Sequence, residues 1–251
     1  APEPTELPEG SVTDVVDKNE APTAADTAAK FAEEEAKAPG KYASFWREFG
    51  AVLKEGLGED HANRERVAGL LRFASTRSDD ARIGLADYVA AMRPEQSKIY
   101  YLIADSERSA RHSPYLEVFR QRGIEVLLLG ERIDEWALSH LREFAGKTLC
   151  DIARGELDLG ELGESPVAPE AGADADATLG RLRELLGDSV AEVRASTRLT
   201  ESPACLVLAT DALGPQLRKM LAAAGQDLPE TKPILEVNLA HPLVARVAAD
   251  I

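Results

Sequence analysis

The chain has 251 residues, 44% of them hydrophobic, which is enough for one or two domains with real cores. Its 29 Lys and Arg stand against 44 Asp and Glu, giving a net charge of −15. That balance argues against general nucleic-acid binding and against anionic membranes, both of which call for basic patches. No stretch reaches the ~20 apolar residues that span a bilayer. No basic start with an apolar run marks a signal peptide, so a cytoplasmic protein is expected. The first residue is Ala, not Met, so the sequence is expected to be a piece of a longer protein.

Residues 1–25 are rich in proline and poor in large apolar groups, and read as a disordered tail. Residues 24–37 are Ala- and Glu-rich and suit a solvated helix, ended by Pro39-Gly40. Residues 42–57 predict an amphipathic helix whose face of Phe45, Trp46, Phe49, Val52 and Leu53 packs on a core. A second helix is predicted over 61–73, carrying Val67, Leu70, Leu71 and Phe73, and a third over 85–92, ahead of Pro94. Arg64, Arg66, Arg72, Arg77 and Arg82 make this region basic, which suits a solvated face or an acidic partner.

Residues 99–104 are a short apolar run rich in β-formers, as in a buried strand. Asp105 and Ser106 end it, and a helix follows from Pro114, with Tyr115, Val118 and Phe119 on one side and Gly123 as its stop. Residues 124–129 give a second buried strand and 133–144 another helix. Strand, helix, strand at this spacing is a βαβ unit with parallel strands. Residues 147–152 add a further strand. The expected first module, residues 41–155, is therefore a small α/β/α unit around a short parallel sheet.

Residues 156–177 lack periodicity and read as a linker. Beyond it, residues 178–186 predict a helix and 190–199 a half-buried strand. In that strand Val193, Ala195 and Thr197 face one way, and Glu192, Arg194, Ser196 and Arg198 the other. A strand over 204–209 is expected to pair with it antiparallel. A helix over 211–224, a strand over 234–239 and a helix from Pro242 complete the order αββαβα. Residues 178–251 are thus an expected α+β domain with a three-stranded antiparallel or mixed sheet.

Catalytic chemistry finds little to stand on. His61, His112, His140 and His241 are scattered, and no P-loop, Gly-x-Ser-x-Gly or Cys-x-x-Cys occurs. Cys150 and Cys205 sit in apolar runs and read as buried thiols. The 105–112 loop, at the carboxyl end of a strand, has polar residues but no glycine to cradle a phosphate. No catalytic residue, cofactor site or metal site is assigned. Two features suit binding. Glu135-Trp136 opens a helix just past a strand, where the Trp is either half-exposed for contact or tucked into the core. Leu213, Leu217, Met220, Leu221 and Ala224 form one stripe, which fits a core helix or an adaptable apolar surface.

Several long stretches resemble the Hsp90 chaperones, and the bacterial form most closely. They are YASFWREFGAVLKEGLGEDHANRERVAGLLRFAST (42–76), KIYYLIADSERSARHSPYLEVFRQRGIEVLLLGERIDEWAL (98–138), RLTESPACLVLATD (198–211), LAAAGQ (221–226) and ILEVNLAHPLV (234–244). These colinear stretches run from about residue 41 to the last, whereas residues 1–25 show no likeness. The resemblance implies the end of the middle domain followed by most of the C-terminal domain of an ATP-driven homodimer that binds unfolded client proteins. It implies that Glu135 and Trp136 lie on the client-facing surface, and that the 211–224 helix projects toward client. The client-binding set is then Glu135, Trp136, Leu213, Leu217, Met220 and Leu221.

The family's ATP and Mg²⁺ site belongs to a nucleotide domain without counterpart here, so this chain is expected to be no enzyme by itself. Its dimerisation helices would follow Ile251, so the homodimer is expected of the complete protein rather than of this piece. Co-chaperones are further partners that the family allows. Two rival readings remain: a small nucleotide- or phosphate-binding α/β enzyme domain using the 105–112 loop, and a purely structural dimerisation module.

Overall fold

In the computed structural model the described residues are 40–160, 173–226 and 231–250, together with Lys30, Glu33, Leu162 and Leu228. The tail expected over 1–25 lies outside them. So does the helix expected over 24–37, apart from Lys30 and Glu33, which are helical.

The chain opens on α1 (Lys41–Glu59), and only part of its apolar face turns inward. Trp46, Gly50, Lys54 and Leu57 are buried, whereas Phe45, Phe49 and Val52 stand exposed. Of the expected packing face, Trp46 and Leu53 do pack on the core, and Phe45, Phe49 and Val52 are corrected to the outer side. The reason is Lys54, whose Nζ lies 2.6 Å from Asp134 and 3.1 Å from Glu131. The same ammonium sits 5.7 Å from the Trp46 ring centre and 5.6 Å from that of Phe73. A buried charge with its partners in place draws the helix round onto the Trp46–Lys54 line.

Helix α2 (Arg64–Leu70) is shorter than expected, because Phe73 belongs to a strand. Strands β1 (Phe73–Ser75) and β2 (Ser78–Ile83) make a tight hairpin, pairing Phe73 with Ile83 and Ser75 with Ser78. Helix α3 (Leu85–Ala91) falls where its periodicity put it. Strand β3 (Lys98–Ile103) follows, then α4 (Glu107–Arg111), a short helix inside the expected 105–112 loop, where the Ser106 hydroxyl accepts from Ser109 N at 3.1 Å. A 3₁₀ turn over Pro114–Leu116 leads into α5 (Glu117–Arg122), which Gly123 ends in the left-handed region. Strand β4 (Leu127–Leu129) runs parallel to β3. The helix expected over 133–144 is cut short as α6 (Asp134–Ser139). Residues Glu143–Phe144 instead form β5, turned back onto β6 (Lys147–Asp151) by Ala145 and Gly146, both at positive φ. A two-residue turn of that kind closes a hairpin whose twist suits both strands.

The larger module has a sheet in the order β2-β1-β4-β3-β6-β5, parallel at its centre and antiparallel at both edges. Alternating side chains close both faces. Phe73, Ile99, Leu127 and Leu129 meet α1, α2, α3 and α6 on one side; Ala74, Tyr100, Leu102 and Leu128 meet Leu116, Val118 and Phe119 on the other. The second core also takes in Leu159 and Leu162, so the packed chain continues past residue 155.

The smaller module starts with α7 (Ala173–Leu186), followed by β7 (Glu192–Ala195), β8 (Ala204–Val207), α8 (Pro215–Ala223), β9 (Ile234–Val237) and α9 (Pro242–Asp250). Its sheet is mixed, in the order β7-β9-β8. The expected direct pairing of β7 with β8 is corrected: β9 lies between them, parallel to β7 and antiparallel to β8. Being the strand with apolar or paired side chains on both faces, β9 takes the centre. Val193, Leu235, Val237 and Val244 pack with Leu179, Leu182 and Leu186 on one face. The other face lies against the larger module.

Candidate functional site

Residues of the second sheet face that read as solvent-facing are buried in the seam between the modules. Arg198 has no exposed surface, and Glu236 retains 2%. Arg198 Nε donates to Glu236 Oε2 at 2.7 Å, and Arg194 Nη2 donates to Glu236 Oε1 at 2.8 Å. Both guanidinium groups also donate to Gly155 O, at 2.8 and 2.9 Å, and Arg198 reaches Ile152 O. The backbone joins in, with Leu208 N on Ala153 O at 3.1 Å and Gly155 N on Leu208 O at 2.8 Å.

Two carboxylates of the larger module complete the seam. Glu117 accepts from the backbone N–H groups of Thr200, Glu201 and Ser202, at 2.7, 2.7 and 3.1 Å. Burial works to raise its pKa, but those amides and the Ser202 hydroxyl outweigh it and hold the carboxyl below its usual range. Burial dominates at Tyr115 and Cys205, each pushed up to about 12, and the Tyr115 hydroxyl donates to Leu206 O. Cys150 is raised by burial as well, and both thiols are free.

Glu135 is the second seam carboxylate. It is 5% exposed, so its carboxylate points into the molecule. Oε2 accepts from Gln216 N and Leu217 N, both at 3.0 Å, at the start of α8. Oε1 lies 3.3 Å from Arg154 Nη2. Arg154 is held in turn by Asp151 at 2.8 Å and donates to Ala212 O. Burial pushes the Asp151 carboxyl up, against the pull of Arg154. Asp134, the neighbour of Glu135, faces the other way, toward Lys54 and Glu131 N.

Trp136 is half-buried. Its indole lies on Gly58, where a Cβ would come within 2.4 Å of the ring, and stands edge-on to His140 at 4.8 Å. Leu213 precedes α8 and is half-buried, as are Leu217 and Leu221, whereas Met220 is 44% exposed. Lys219, Ala222, Ala223 and Ala224 are exposed too, so α8 is anchored at its start and free along its far half. Of the predicted set, the structure joins Glu135 to α8 at Leu217 N, by carboxylate-to-amide bonds that no sequence pattern announces, whereas Trp136 packs on Gly58 and His140.

A cleft of about 220 Å³ opens beyond the carboxyl ends of β3 and β4, lined by Lys54, Arg72, Arg82, Glu107, Glu131 and Asp134. Its cations are committed: Lys54 to Asp134 and Glu131, Arg82 to Glu107 at 3.3 Å, and Arg72 to the Leu71 carbonyl at 3.0 Å. Small-molecule sites usually exceed about 300 Å³ and present unspent polar groups. The cleft fits a nucleotide poorly on both grounds. Among the described residues no group of His, Cys, Asp and Glu is arranged to hold a metal, and no helix is long and apolar enough to cross a membrane.

Comparison with known proteins places these features. The model of the family described as "Hsp90 protein" matches residues 9–251. The chain is 56% identical over 223 residues to the "Chaperone protein HtpG" of Burkholderia ambifaria, covering 87% of this chain and 35% of that protein. It is 52% identical over 250 residues to the protein of that name from Verminephrobacter eiseniae, covering 98% of this chain and again 35% of the relative. The family match and the Verminephrobacter match reach into the first 25 residues, correcting the expectation that this stretch is unlike the family. The chain spans about a third of the length of these curated relatives. It belongs to the Hsp90 family.

Proposed function

We propose, from this family membership, that the chain is the client-holding part of a molecular chaperone. The complete protein would be an ATP-driven homodimer of the cytoplasm, and this part would hold unfolded or partly folded clients without nucleotide chemistry of its own. The observation that carries the reading is the placing of half-buried Trp136 and the free half of α8 on helices joined by Glu135. Trp, Met and Leu on partly exposed faces give apolar area that repacks around many partners. The surplus of acid, −15 overall, keeps such complexes soluble and favours basic client segments. Trp136, Leu213, Leu217, Met220 and Leu221 would touch client, and Glu135 would stand behind them.

The test uses a reduced and alkylated, permanently unfolded protein as client probe, with binding followed by fluorescence anisotropy. Trp136→Asp and Met220→Asp should each weaken binding about tenfold, the loss of one good apolar anchor. The melting temperature of Met220→Asp should stay within a few degrees of the parent; Trp136→Asp, which loses the packing on Gly58, should melt lower and is assayed where it is still folded. If both variants bind as the parent does, the assignment is wrong. A melt with ATP and Mg²⁺ addresses the nucleotide reading: binding would raise the melting temperature, and no shift is expected.

A further inference from the structure

We propose that Glu135 is a positioning residue, the latch by which the larger module sets the direction of α8; its purpose rests on the reading of α8 and Trp136 as client-holding. Helix α8 has no cap of its own, since Gly214 stands at its N-cap position with no side chain to offer. Two of its leading N–H groups, those of Gln216 and Leu217, are met by one carboxylate, 81 and 82 positions earlier in the chain. A charged acceptor at a helix start is favoured by both hydrogen bonding and the helix dipole. A helix of nine residues does not hold its shape alone in water, so this contact decides where it points.

The latch has two further parts. Arg154 holds the second oxygen of Glu135 and also donates to Ala212 O, so it grips the loop that leads into α8. Gly214 supplies the space: a Cβ there would lie 1.9 Å from Glu135 Oε1 and 2.7 Å from Arg154 Nη2. Any side chain at 214 must push the carboxylate out. Two other polar tethers of α8, Gln216 Nε2 to Asp105 at 3.0 Å and Arg218 Nη1 to Thr231 at 3.0 Å, are exposed and weaker. Glu135 is also the residue before Trp136, so the group that fixes α8 and the indole beside it move as one turn of α6. The latch thereby sets the spacing between two separate pieces of the client surface.

The experiment compares Glu135→Ala, Glu135→Gln and Gly214→Ala with the parent in the whole chain, by amide hydrogen exchange and by affinity for the same alkylated probe. Gln216 and Leu217 amides should exchange about tenfold faster in Glu135→Ala and in Gly214→Ala, with β9 amides unchanged. Glu135→Gln, which keeps an acceptor but no charge, should fall between. Probe affinity should drop in the same order, whereas Trp136→Asp should lose affinity with exchange at 216 and 217 as in the parent. Unchanged exchange at those two amides in Glu135→Ala overturns the latch. Faster exchange with undiminished affinity, in a chain where Met220→Asp does lose affinity, overturns its positioning role. If Met220→Asp and Trp136→Asp also bind as the parent does, the client reading has failed, and faster exchange would still identify the latch.

Discussion

The two modules solve the same problem, covering both faces of a sheet, by different physical means. The larger one covers both mostly with its own apolar side chains, so Ile99 and Leu127 are buried on one face and Leu102 and Phe119 on the other, with the Lys54–Asp134 pair as a buried charge under α1. The smaller one covers one face with α7 and α9 and lends the other to its neighbour, where Arg194, Arg198 and Glu236 lie beside a small apolar cluster of Leu199, Cys205, Val207 and Ile234. Apolar burial has no direction and tolerates change if volume is kept. A buried charge network is directional, and every member depends on the rest. The smaller module, with a larger share of its seam face in such a network, should therefore be the more sensitive to a single polar substitution.

The largest expected effect is at Glu236. Glu236→Ala leaves Arg198, which has no exposed surface, with its charge unanswered. The cost should be roughly 3–5 kcal/mol. Because the loss falls on one module, β9 amides should lose protection at denaturant concentrations where Trp46 and Trp136 emission, both reporting the larger module, is still native. Leu102→Ala is the matching cut in the larger module and should cost about 3 kcal/mol through lost transfer energy and a cavity. There both signals should fall together, since the smaller module loses the wall it docks on. A single shared transition in Glu236→Ala would erase the difference drawn between the modules.

The same contrast explains what was legible in the sequence. Strands β3 and β4 and helix α3 follow from runs and periods of apolar residues, because their partners are met by non-directional burial. The alternation of Val193, Ala195 and Thr197 with Arg194, Ser196 and Arg198 looked like a strand with one wet face. A buried Arg has the same one-letter pattern as a solvated one, and only its partners, Glu236 and the carbonyls of Ile152 and Gly155, distinguish them. The β5 strand was hidden because two residues cannot display a period. Within the candidate site, Trp136 and the α8 stripe were visible as types. The role of Glu135 was not, since a side-chain cap supplied from a distant element leaves no local signature.

Glu117 offers a smaller effect with a pH signature. Its carboxyl is held below the usual 4.5 by amides of the smaller module. A depressed carboxylate contributes stability that is fully present above the unfolded-state pKa, near 4.5, and is lost as pH falls through the folded value. Glu117→Gln should cost roughly 1–2 kcal/mol near neutral pH, the worth of charge-assisted bonds reduced to neutral ones. The gap between variant and parent in urea titrations should close as pH drops below about 4.5. Asp134 and Asp151, whose carboxyls are raised by burial, titrate in the opposite sense in both proteins and cancel from that difference. A gap that stays constant down to pH 3 would mean that the Glu117 charge does not hold the seam.

The smallest effect is expected on the outer face of α1. Phe49 is 52% exposed and touches Phe45 with ring centres 5.2 Å apart. It carries a full apolar side chain of which about half stays in water, so about half of its burial energy is never realised. Phe49→Ser should change stability by no more than about 0.5 kcal/mol, the range for surface positions. Trp46→Ala, one turn earlier on the buried line, should cost about 3–5 kcal/mol. The pair measures how far the helix's apolar face is turned from its packing face. If Phe49→Ser costs as much as Trp46→Ala, the stripe is covered in solution, and α1 buries both faces as the central strands of the larger module do.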